Sequence, residues 1–292
     1  MMKVVIAGED RFAVAVMKTL LKEGYEISLF ITPAYNKQIR LLENAALKNN
    51  IPFLSADDIN AAETLSLLEK LSPDVVLLIH FNRLVHLPFI KIPKMGCINI
   101  HPSLLPQYRG RHPQYWAVIN GEEKTGISIH FVDEGIDTGD IIFQKEIAIT
   151  SQMYIADIQQ MLLNEYGSCM LNALTRIQDK QFKPKKQPDG DFKVYRALSI
   201  KDITLDTEMS AKAVFDRIRA GSFPFLGARF EDFIFWKASF FDQQQQKDIL
   251  RENNSSGFCV NTAWGDIWTA KDGVLKIEWF EQINTDKQKN DK

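Results

Sequence analysis

The stretch "KVVIAGEDRFAVAVMKTLLKEGYEISLFIT", residues 3–32, carries the pattern that decides the fold. It begins with the apolar run Lys3–Gly8, which is typical of a buried strand, and continues with apolar residues at helical spacing as far as Gly24. The next apolar run, Glu26–Thr32, predicts a second strand. Because a helix joins two consecutive strands, the stretch predicts a parallel sheet whose faces are covered by helices.

The same alternation continues through the first half of the chain. "DVVLLI" (Asp74–Ile79) predicts another buried strand. "GISIHFV" (Gly126–Val132) and "DIIFQKEIAI" (Asp140–Ile149) predict two more, followed by a helix near Ile155–Gln178. The predicted fold class is therefore α/β, a Rossmann-like and mostly parallel sheet with flanking helices. Gly8 is the only glycine of the first turn and no P-loop occurs, so the sequence does not favour nicotinamide or ATP chemistry.

The second half of the chain predicts a smaller domain behind a linker. Lys180–Lys193 is polar and contains two prolines and one glycine, as linkers and crossing loops do. Phe223–Ile283 is rich in aromatic residues in short alternating runs, which predicts a small β domain of OB-like type. Within it, the run Gln243–Gln246 is expected to form an exposed turn. The predicted organisation is a catalytic domain at 1–180, a linker at 181–204, the β-rich C-terminal domain at 205–285 and a polar tail at 286–292.

The composition of the 292 residues is typical of a globular protein, with 45% hydrophobic and 25% charged residues. A net charge of -2 gives no bulk attraction to nucleic acid or to an anionic membrane. No apolar run is long enough to span a bilayer and the first residues lack a signal-peptide pattern, so no membrane partner is expected and the predicted location is cytoplasmic. The three cysteines form no CxxC pair, which favours a reducing compartment and predicts no metal site.

Three polar residues form the candidate catalytic group. Asn99 and His101 are two apart on an extended segment, so their side chains point to one face, and Asp137 lies in the glycine-flanked loop "EGIDTGD". An amide can stabilise an oxyanion, an imidazole can move protons near neutral pH, and a carboxylate can orient the imidazole. No serine or cysteine is clearly placed as a nucleophile, although Ser103 is near in sequence. Direct acyl transfer to an external nucleophile therefore fits better than a covalent intermediate, while a hydrogen-bonded strand end beside a plain turn also fits these residues.

The motif "INIHPSLLPQYRG", followed 36 residues after His101 by the aspartate of "VDEGIDTGD", resembles the formyltransferase family that uses 10-formyltetrahydrofolate. The resemblance covers about Lys3–Ile149 and extends more loosely into the C-terminal part. It implies that Asn99 bonds the formyl oxygen and supports the tetrahedral oxyanion. It implies that His101 supports this oxyanion or takes the proton of the incoming amine, and that Asp137 holds His101 and a relaying water.

The resemblance also implies where the formyl donor lies. The pterin of 10-formyltetrahydrofolate would lie against "FNRLV" (81–85) and Ile90, bonded mainly by backbone groups there and in the Val132–Asp137 loop. A flat pterin requires an apolar slot with a few backbone partners. The donor-binding residues predicted in this way are Phe81, Arg83, Val85, Ile90, Val132 and Asp133. The remaining histidines of this region are expected to be structural: His80 caps the segment and His130 packs within its strand.

Within the family, "PSLLPQYRGRHPQYWAVINGE" (102–122) looks most like the aminosugar formyltransferases. The function predicted from this likeness is N-formylation of a nucleotide-linked amino-deoxysugar, of the dTDP-4-amino-4,6-dideoxyhexose type, for lipopolysaccharide O-antigen synthesis. Arginine suits a pyrophosphate and an aromatic ring suits a sugar or base face. The acceptor-binding residues predicted on these grounds are Arg109, Arg111, His112, Tyr115 and Trp116. Inward packing of the two aromatic residues and a structural role for Arg109 remain open alternatives.

The alternative acceptor is tRNA, as in methionyl-tRNA formyltransferase. Residues 191–292 contain 15 Lys and Arg against 16 Asp and Glu, and only "ITPAYNKQ" (31–38) stands where the tRNA enzymes carry a long basic loop. No nucleic-acid partner is therefore expected. The purine-pathway members are shorter single-domain chains, and the formyl-folate hydrolases carry a further N-terminal domain. The surplus of aromatic residues near the C-terminus and the habit of the family predict a homodimer.

Overall fold

The computed structural model of the chain describes residues 2–223, 225–252 and 256–283, so the predicted polar tail at 286–292 lies outside the described residues. The chain divides into two compact units. The first comprises the chain up to Gly110 together with Thr125–Ile147 and Gln160–Val194. The second comprises Arg111–Lys124, Ala148–Gln159 and the chain from Tyr195 onward. The domain boundaries predicted from the sequence, at residues 180 and 204, concern separately folding domains and stay predictions.

Strands and helices alternate from Lys3 to His101, and two pairs of consecutive strands interrupt the alternation before the long helix Ile155–Gln178. The elements are β1 Lys3–Gly8, α1 Arg11–Lys22, β2 Glu26–Pro33, α2 Ile39–Leu47, β3 Phe53–Ala56, α3 Ala62–Leu71, β4 Val75–Ile79, α4 Leu87–Ile90, β5 Cys97–His101, β6 Arg109–Gly110, α5 Pro113–Ile119, β7 Lys124–Phe131, β8 Ile141–Ala148 and α6 Ile155–Gln178. The rest of the chain contains β9 Val194–Tyr195, a 3-10 helix Ile200–Ile203, α7 Ala211–Gly221, β10 Ala228–Phe230, β11 Phe233–Phe240, α8 Gln243–Glu252, β12 Gly257–Thr262, β13 Gly265–Ala270 and β14 Gly273–Gln282.

Seven strands form the main sheet in the order β3-β2-β1-β4-β5-β7-β8. The strands from β3 to β5 pair in parallel, whereas β7 runs antiparallel to β5. The predicted Rossmann-like, mostly parallel sheet with flanking helices is therefore confirmed. Because parallel strands end at the same edge, the segments after β1, β4 and β5 meet at their carboxyl ends. On one face of this sheet, Val5, Leu29 and Val76 are buried in a single apolar cluster.

The second unit is built on an antiparallel sheet in the order β10-β11-β14-β13-β12. The amphipathic helix α7 contributes Val214 and Ile218 to the same buried cluster as Phe235 and Trp268 of the sheet. The predicted small β-rich C-terminal part is confirmed. Segregation of the aromatic side chains to one face of an alternating pattern provides this core.

The run Gln243–Gln246 was expected to form a turn, and this expectation is wrong, because it is the first turn of α8. Asp242 caps the helix by accepting the backbone N–H groups of Gln244 and Gln245. Ile249 is buried with Ile267 and Val274, and the partly buried Leu250 packs against the same cluster, so these two apolar side chains attach the polar helix to the sheet. Within the described ranges, no helix has the length and apolar character needed to cross a membrane.

Gly8 allows α1 to return closely against the end of β1. A Cβ atom at this position would lie 2.3 Å from the Cβ of Ala13 and 3.3 Å from the carbonyl oxygen of Ile79. We expect Gly8→Ala to lower the free energy of unfolding by about 1–3 kcal/mol, because the clash forces the helix away from the sheet. Chemical denaturation measures this loss.

The matched control for Gly8→Ala is the double variant Gly8→Ala/Ala13→Gly, which removes the clashing Cβ. We expect the double variant to recover part of the stability that Gly8→Ala loses. The recovery is incomplete because glycine within a helix itself costs about 1 kcal/mol. Equal stability of Gly8→Ala and the unaltered protein would show that the contact does not constrain α1.

Candidate active site

The pairing of β5 with β7 brings the polar residues of the site together. Asn99 lies opposite His130 in the register of these two strands. The Asn99 Nδ2 atom is 3.0 Å from His130 Nε2 and 3.3 Å from Asp137 Oδ1. The amide of Asn99 therefore joins a strand, its neighbour and the loop that follows it.

Asp137 lies in the loop between β7 and β8 with a φ of 53°, in the left-handed region. Its Oδ2 atom accepts the backbone N–H of Gly110 at 2.8 Å and is 3.5 Å from His101 Nδ1. Its Oδ1 atom is 3.5 Å from His130 Nε2. The structure thus brings Asn99, His101 and Asp137 together, as the sequence predicts, while their individual roles stay predictions.

The hydrogen bonds of the two imidazoles define where each carries its hydrogen. His101 Nε2 is 2.9 Å from the carbonyl oxygen of Tyr108, and His130 Nδ1 is 2.7 Å from that of Phe131. Because a carbonyl only accepts, these two nitrogens carry the hydrogens in the neutral rings. His101 Nδ1 is then a proton acceptor facing Asp137, and His130 Nε2 accepts from Asn99.

Burial lowers the pKa of His101, and the charge of Asp137 offsets this effect only in part. Burial alone would raise the pKa of the Asp137 carboxyl, but His101, His130 and the N–H of Gly110 hold it well below its ordinary value. At neutral pH the site therefore contains a neutral His101 imidazole beside an ionised Asp137. A proton taken up at His101 Nδ1 would form an ion pair with this carboxylate.

His130 is a site residue that the sequence analysis assigned to packing alone. It is 2% exposed and bonds both Asn99 and the backbone, so it fixes the orientation of the Asn99 amide. Its only signal in the sequence is a histidine between the apolar residues Ile129 and Phe131. Strand register, which places it beside Asn99, was needed to recognise it.

The predicted donor-binding residues are placed in three different ways. Phe81, Val85 and Val132 are partly buried and pack against the same apolar cluster of the main sheet. Ile90 ends α4, and its carbonyl oxygen is 3.8 Å from the sulfur of Cys97, a member of that cluster.

The other two predicted donor residues are exposed. Arg83 lies over the ring of Tyr35 at 4.3 Å and, with Phe81, lines a cavity of about 280 Å³. Asp133 accepts the N–H of Gly135 and the hydroxyl of Thr138, so its carboxylate shapes its own loop. A contact between Asp133 and the formyl donor would therefore use the backbone of Asp133, or its carboxylate would have to give up these two hydrogen bonds.

A second group of side chains holds the segment that follows β4. His80 Nδ1 is 2.8 Å from Asp10 Oδ2, and His80 Nε2 is 2.8 Å from the hydroxyl of Tyr166. The backbone N–H of Asn82 donates to the carboxylate of Glu9. The residues after β1 therefore fix the start of the predicted donor segment, in keeping with the structural role expected of His80.

The predicted acceptor residues belong to different surroundings. Four of them, Arg111, His112, Tyr115 and Trp116, lie in the second unit. Tyr115 is buried and its hydroxyl accepts the amide of Gln159, whereas Trp116 is half-buried and its Nε1 donates to a backbone carbonyl. His112 Nδ1 accepts the N–H of Leu198.

Arg109 lies in the first unit and is 8% exposed. Its guanidinium donates to Gln187 and lies over the ring of Phe192. This arrangement favours the structural role that the sequence left open for Arg109. Within residues 2–223, 225–252 and 256–283, no group of three or more His, Cys, Asp or Glu residues is placed to hold a metal ion.

Comparison with known proteins identifies similar sequences over most of the chain. The profile of a family described as "Formyl transferase" matches residues 2–174. The methionyl-tRNA formyltransferase of Clostridioides difficile is 29% identical over 296 residues, which cover 97% of this chain and 93% of that protein. That of Pelotomaculum thermopropionicum is 35% identical over 235 residues, covering 78% of this chain and 74% of that protein.

Among solved structures, WlaRD has a similar fold over almost the whole chain. It is described as a sugar 3N-formyl transferase, crystallised in the presence of dTDP and 5-N-formyl-THF. The TM-score is 0.73, with 98% of this chain and 99% of that chain covered and 22% sequence identity. At this identity the likeness concerns the fold alone. Together the comparisons confirm the predicted formyltransferase fold and enzyme class.

The predicted nucleotide-sugar acceptor is wrong. The relatives that match nearly the whole chain are named methionyl-tRNA formyltransferases. The sugar enzyme shares the fold, but its sequence identity to this chain is lower. The assignment rested on the segment around Tyr115 and Trp116, whose polar atoms are hydrogen-bonded within the chain. The nucleotide-sugar partner and the O-antigen role have no support once this assignment is removed.

We expect His101 to titrate below its ordinary pKa of about 6.5, because its buried ring resists protonation. Asp137→Asn should lower the pKa of His101 further, since it removes the negative charge that raises it. Titration of the histidine resonances by NMR measures both values.

Asp140→Asn is the matched control for this titration, because it removes one carboxylate from the same loop. We expect a smaller change in the pKa of His101 than Asp137→Asn produces. A pKa of His101 at or above 6.5, or a rise in Asp137→Asn, would contradict the electrostatic account of the site.

Proposed function

Because the chain belongs to the formyl transferase family, we propose that it transfers the formyl group of 10-formyltetrahydrofolate to the amino group of methionyl-tRNA. The observation that carries the proposal is the match to methionyl-tRNA formyltransferases over nearly the full length of both chains. These matches extend into the C-terminal part, beyond the family profile that ends at residue 174. They therefore include the C-terminal part, which the acceptor would need for binding in addition to the catalytic residues.

The donor would bind at the apolar surface formed by Phe81, Val85 and Val132. A flat pterin fits such a surface, and the backbone groups of the two loops can bond its edge. The neighbouring cavity would take the p-aminobenzoyl-glutamate part of the donor. Arg83 lines this cavity and is exposed, so its guanidinium can pair with a glutamate carboxylate of the folate.

The chemistry follows from the charge states of the site. A neutral amine attacks the formyl carbon, and the formyl oxygen becomes an oxyanion that Asn99 would bond. The amine loses its proton to His101 Nδ1, and Asp137 stabilises the imidazolium that results. When the bond from carbon to N10 of the folate breaks, N10 takes this proton and His101 returns to its neutral form.

A tRNA acceptor requires local positive charge, and one exposed segment provides it. Residues 176–186 contain five cationic side chains and a single acidic one, Asp179. Lys180, Lys183, Lys185 and Lys186 are all exposed. Phosphate binding depends on such local clusters, so the even balance of charge over residues 191–292 was not a valid argument against tRNA.

Much of the acidic charge in residues 191–292 is also paired within the second unit. Asp202 binds Arg196, and Glu278 binds Lys237. Asp216 is buried and binds Arg219. Each of these pairs also takes up one cation, so pairing leaves the net charge of the region unchanged and the local cluster at 176–186 carries the argument.

Two further properties stay predictions. A homodimer would be consistent with the exposed aromatic group of Phe223, Trp236 and Trp279, whose ring centroids lie 5.6–6.5 Å apart. Burial of such rings is typical of subunit contacts. The cytoplasmic location rests on the sequence analysis alone.

Formylation is tested with purified protein, 10-formyltetrahydrofolate and methionyl-tRNA, with formylmethionine measured by mass spectrometry. We expect Asn99→Ala to lower kcat by about a hundredfold or more, because one oxyanion donor is lost. Binding of 5-formyltetrahydrofolate, measured by calorimetry, should persist in this variant. Absence of formylmethionine with the unaltered protein would overturn the proposed acceptor.

We expect the triple variant Lys183→Ala/Lys185→Ala/Lys186→Ala to weaken tRNA binding and to reduce its dependence on salt. Each lost phosphate contact removes about 0.7–0.9 from the slope of log K against log salt, so the slope should flatten by about 2. The control replaces three exposed lysines elsewhere in the first unit by alanine: Lys18, Lys22 and Lys48. Equal slopes for the two triple variants would exclude this segment as a tRNA contact.

A further inference from the structure

Gln187 lies in the segment that the sequence assigns to a linker, yet it is only 4% exposed. A polar side chain buried to this extent requires partners for both ends of its amide. The chain on either side is exposed, from Lys185 and Lys186 before it to Pro188 and Asp189 after it. Burial of this one side chain in an exposed polar stretch indicates a specific contact.

The amide of Gln187 joins the loop that carries Asp137 to a buried arginine. Its Nε2 atom donates to the carbonyl oxygens of Asp137 and Gly139, both at 2.8 Å. Its Oε1 atom accepts from Arg109, at 2.7 Å from Nη2 and 3.3 Å from Nε. Both hydrogens and the oxygen of the amide are therefore used, and none is left for a ligand.

The Asp137 loop needs such support. Asp137 has a positive φ, which is unfavourable for a residue other than glycine. Gly139 approaches the next part of the chain so closely that a Cβ atom there would lie 1.8 Å from the carbonyl oxygen of Phe131. Gln187 bonds the carbonyl groups at both of these positions, so it fixes the backbone on both sides of Thr138.

Arg109 connects this support to the other side of the carboxylate. The residue after it, Gly110, donates its N–H to Asp137 Oδ2 at 2.8 Å. Gln187 thus holds the backbone of Asp137 directly. Through Arg109 it also holds the neighbouring Gly110, whose N–H bonds the side chain of Asp137. Both contacts act on the same residue from opposite ends.

We propose that Gln187 is a positioning residue for the reaction, which sets the place of the Asp137 carboxylate against His101 and Asn99, with Arg109 as its support. The proposal rests on the proposed formyl transfer for its effect on rate. Its structural part concerns the position of Asp137 alone and can be measured without any substrate.

The first test is the NMR spectrum of the histidine side chains, of which the protein has five. We expect Asp137→Ala to shift the signals of His101 and His130, the two histidines that face the carboxylate. Gln187→Ala should shift the same two signals in the same direction. Signals of His101 and His130 that stay at their original positions in Gln187→Ala, while Asp137→Ala moves them, would overturn the proposal.

Gln144→Ala is the matched control. Gln144 also makes two hydrogen bonds through Nε2, to Leu105 and Ser128, but neither partner belongs to the Asp137 loop. We expect it to leave the His101 and His130 signals in place. Equal shifts in Gln144→Ala and Gln187→Ala would reveal a general structural effect and contradict a specific one.

The second test is kinetic. We expect Gln187→Ala to lower kcat by about tenfold or more while the KM for 10-formyltetrahydrofolate changes by less than about threefold. In an Asp137→Ala background, the added Gln187→Ala should change kcat by less than about twofold, because residues that act through one another are not additive. Full additivity of the two substitutions would overturn the proposal.

Gln187→Glu separates the two halves of the contact. The carboxylate can still pair with Arg109, but it cannot donate to the carbonyl oxygens of Asp137 and Gly139. We expect this variant to resemble Gln187→Ala in kcat and in the histidine spectrum while keeping the stability of the unaltered protein more closely. If the unaltered protein formylates no methionyl-tRNA, the proposed function fails, and the NMR comparison still decides the role of Gln187.

Discussion

The buried charge of Asp137 is the constraint on which the rest of the candidate site depends. A carboxylate removed from water is stable only when hydrogen bonds or opposite charge replace its hydration. Here the N–H of Gly110 and the amide of Asn99 provide donors, and two imidazoles lie 3.5 Å away. The side chains of Asn99, His101 and His130 all face this carboxylate. These are also the groups that the proposed reaction would use, so one set of contacts would serve both the stability of the folded site and its proposed function.

Most of the fold could be predicted from the sequence because its signals are local. The apolar runs and helical spacing from Lys3 onward define the strands and helices, and their alternation implies parallel pairing. The helix over Ile155–Gln178 agrees with its prediction at both ends. The start of α8 was missed because its four glutamines show no periodicity, and the apolar residues that pack it against the sheet, Ile249 and Leu250, come near its end.

The site was only partly visible in the sequence, for a physical reason that His130 and Gln187 share. Asn99, His101 and Asp137 lie in motifs whose residues are close in sequence, whereas His130 is recognised only through strand register and Gln187 only through a contact 50 residues away. Net charge is a poor guide to the acceptor for a similar reason. A sum over residues 191–292 contains no information on local clusters, such as the cationic residues 176–186 on which the proposed tRNA binding depends.

The amide of Asn99 explains why the place of Asp137 has to be fixed so firmly. Both of its hydrogens are used in the structure, one toward His130 at 3.0 Å and one toward Asp137 at 3.3 Å. To bond the formyl oxygen, Asn99 has to exchange one of these bonds, and the longer one to Asp137 is the weaker. Asp137 would then lose a neutral donor in the same step in which His101 becomes a cation beside it. The carboxylate would exchange one source of stabilisation for another without moving, provided that it is held by groups outside the exchange. Gln187 holds the backbone of Asp137 in this way, and the N–H of Gly110 holds its Oδ2 atom.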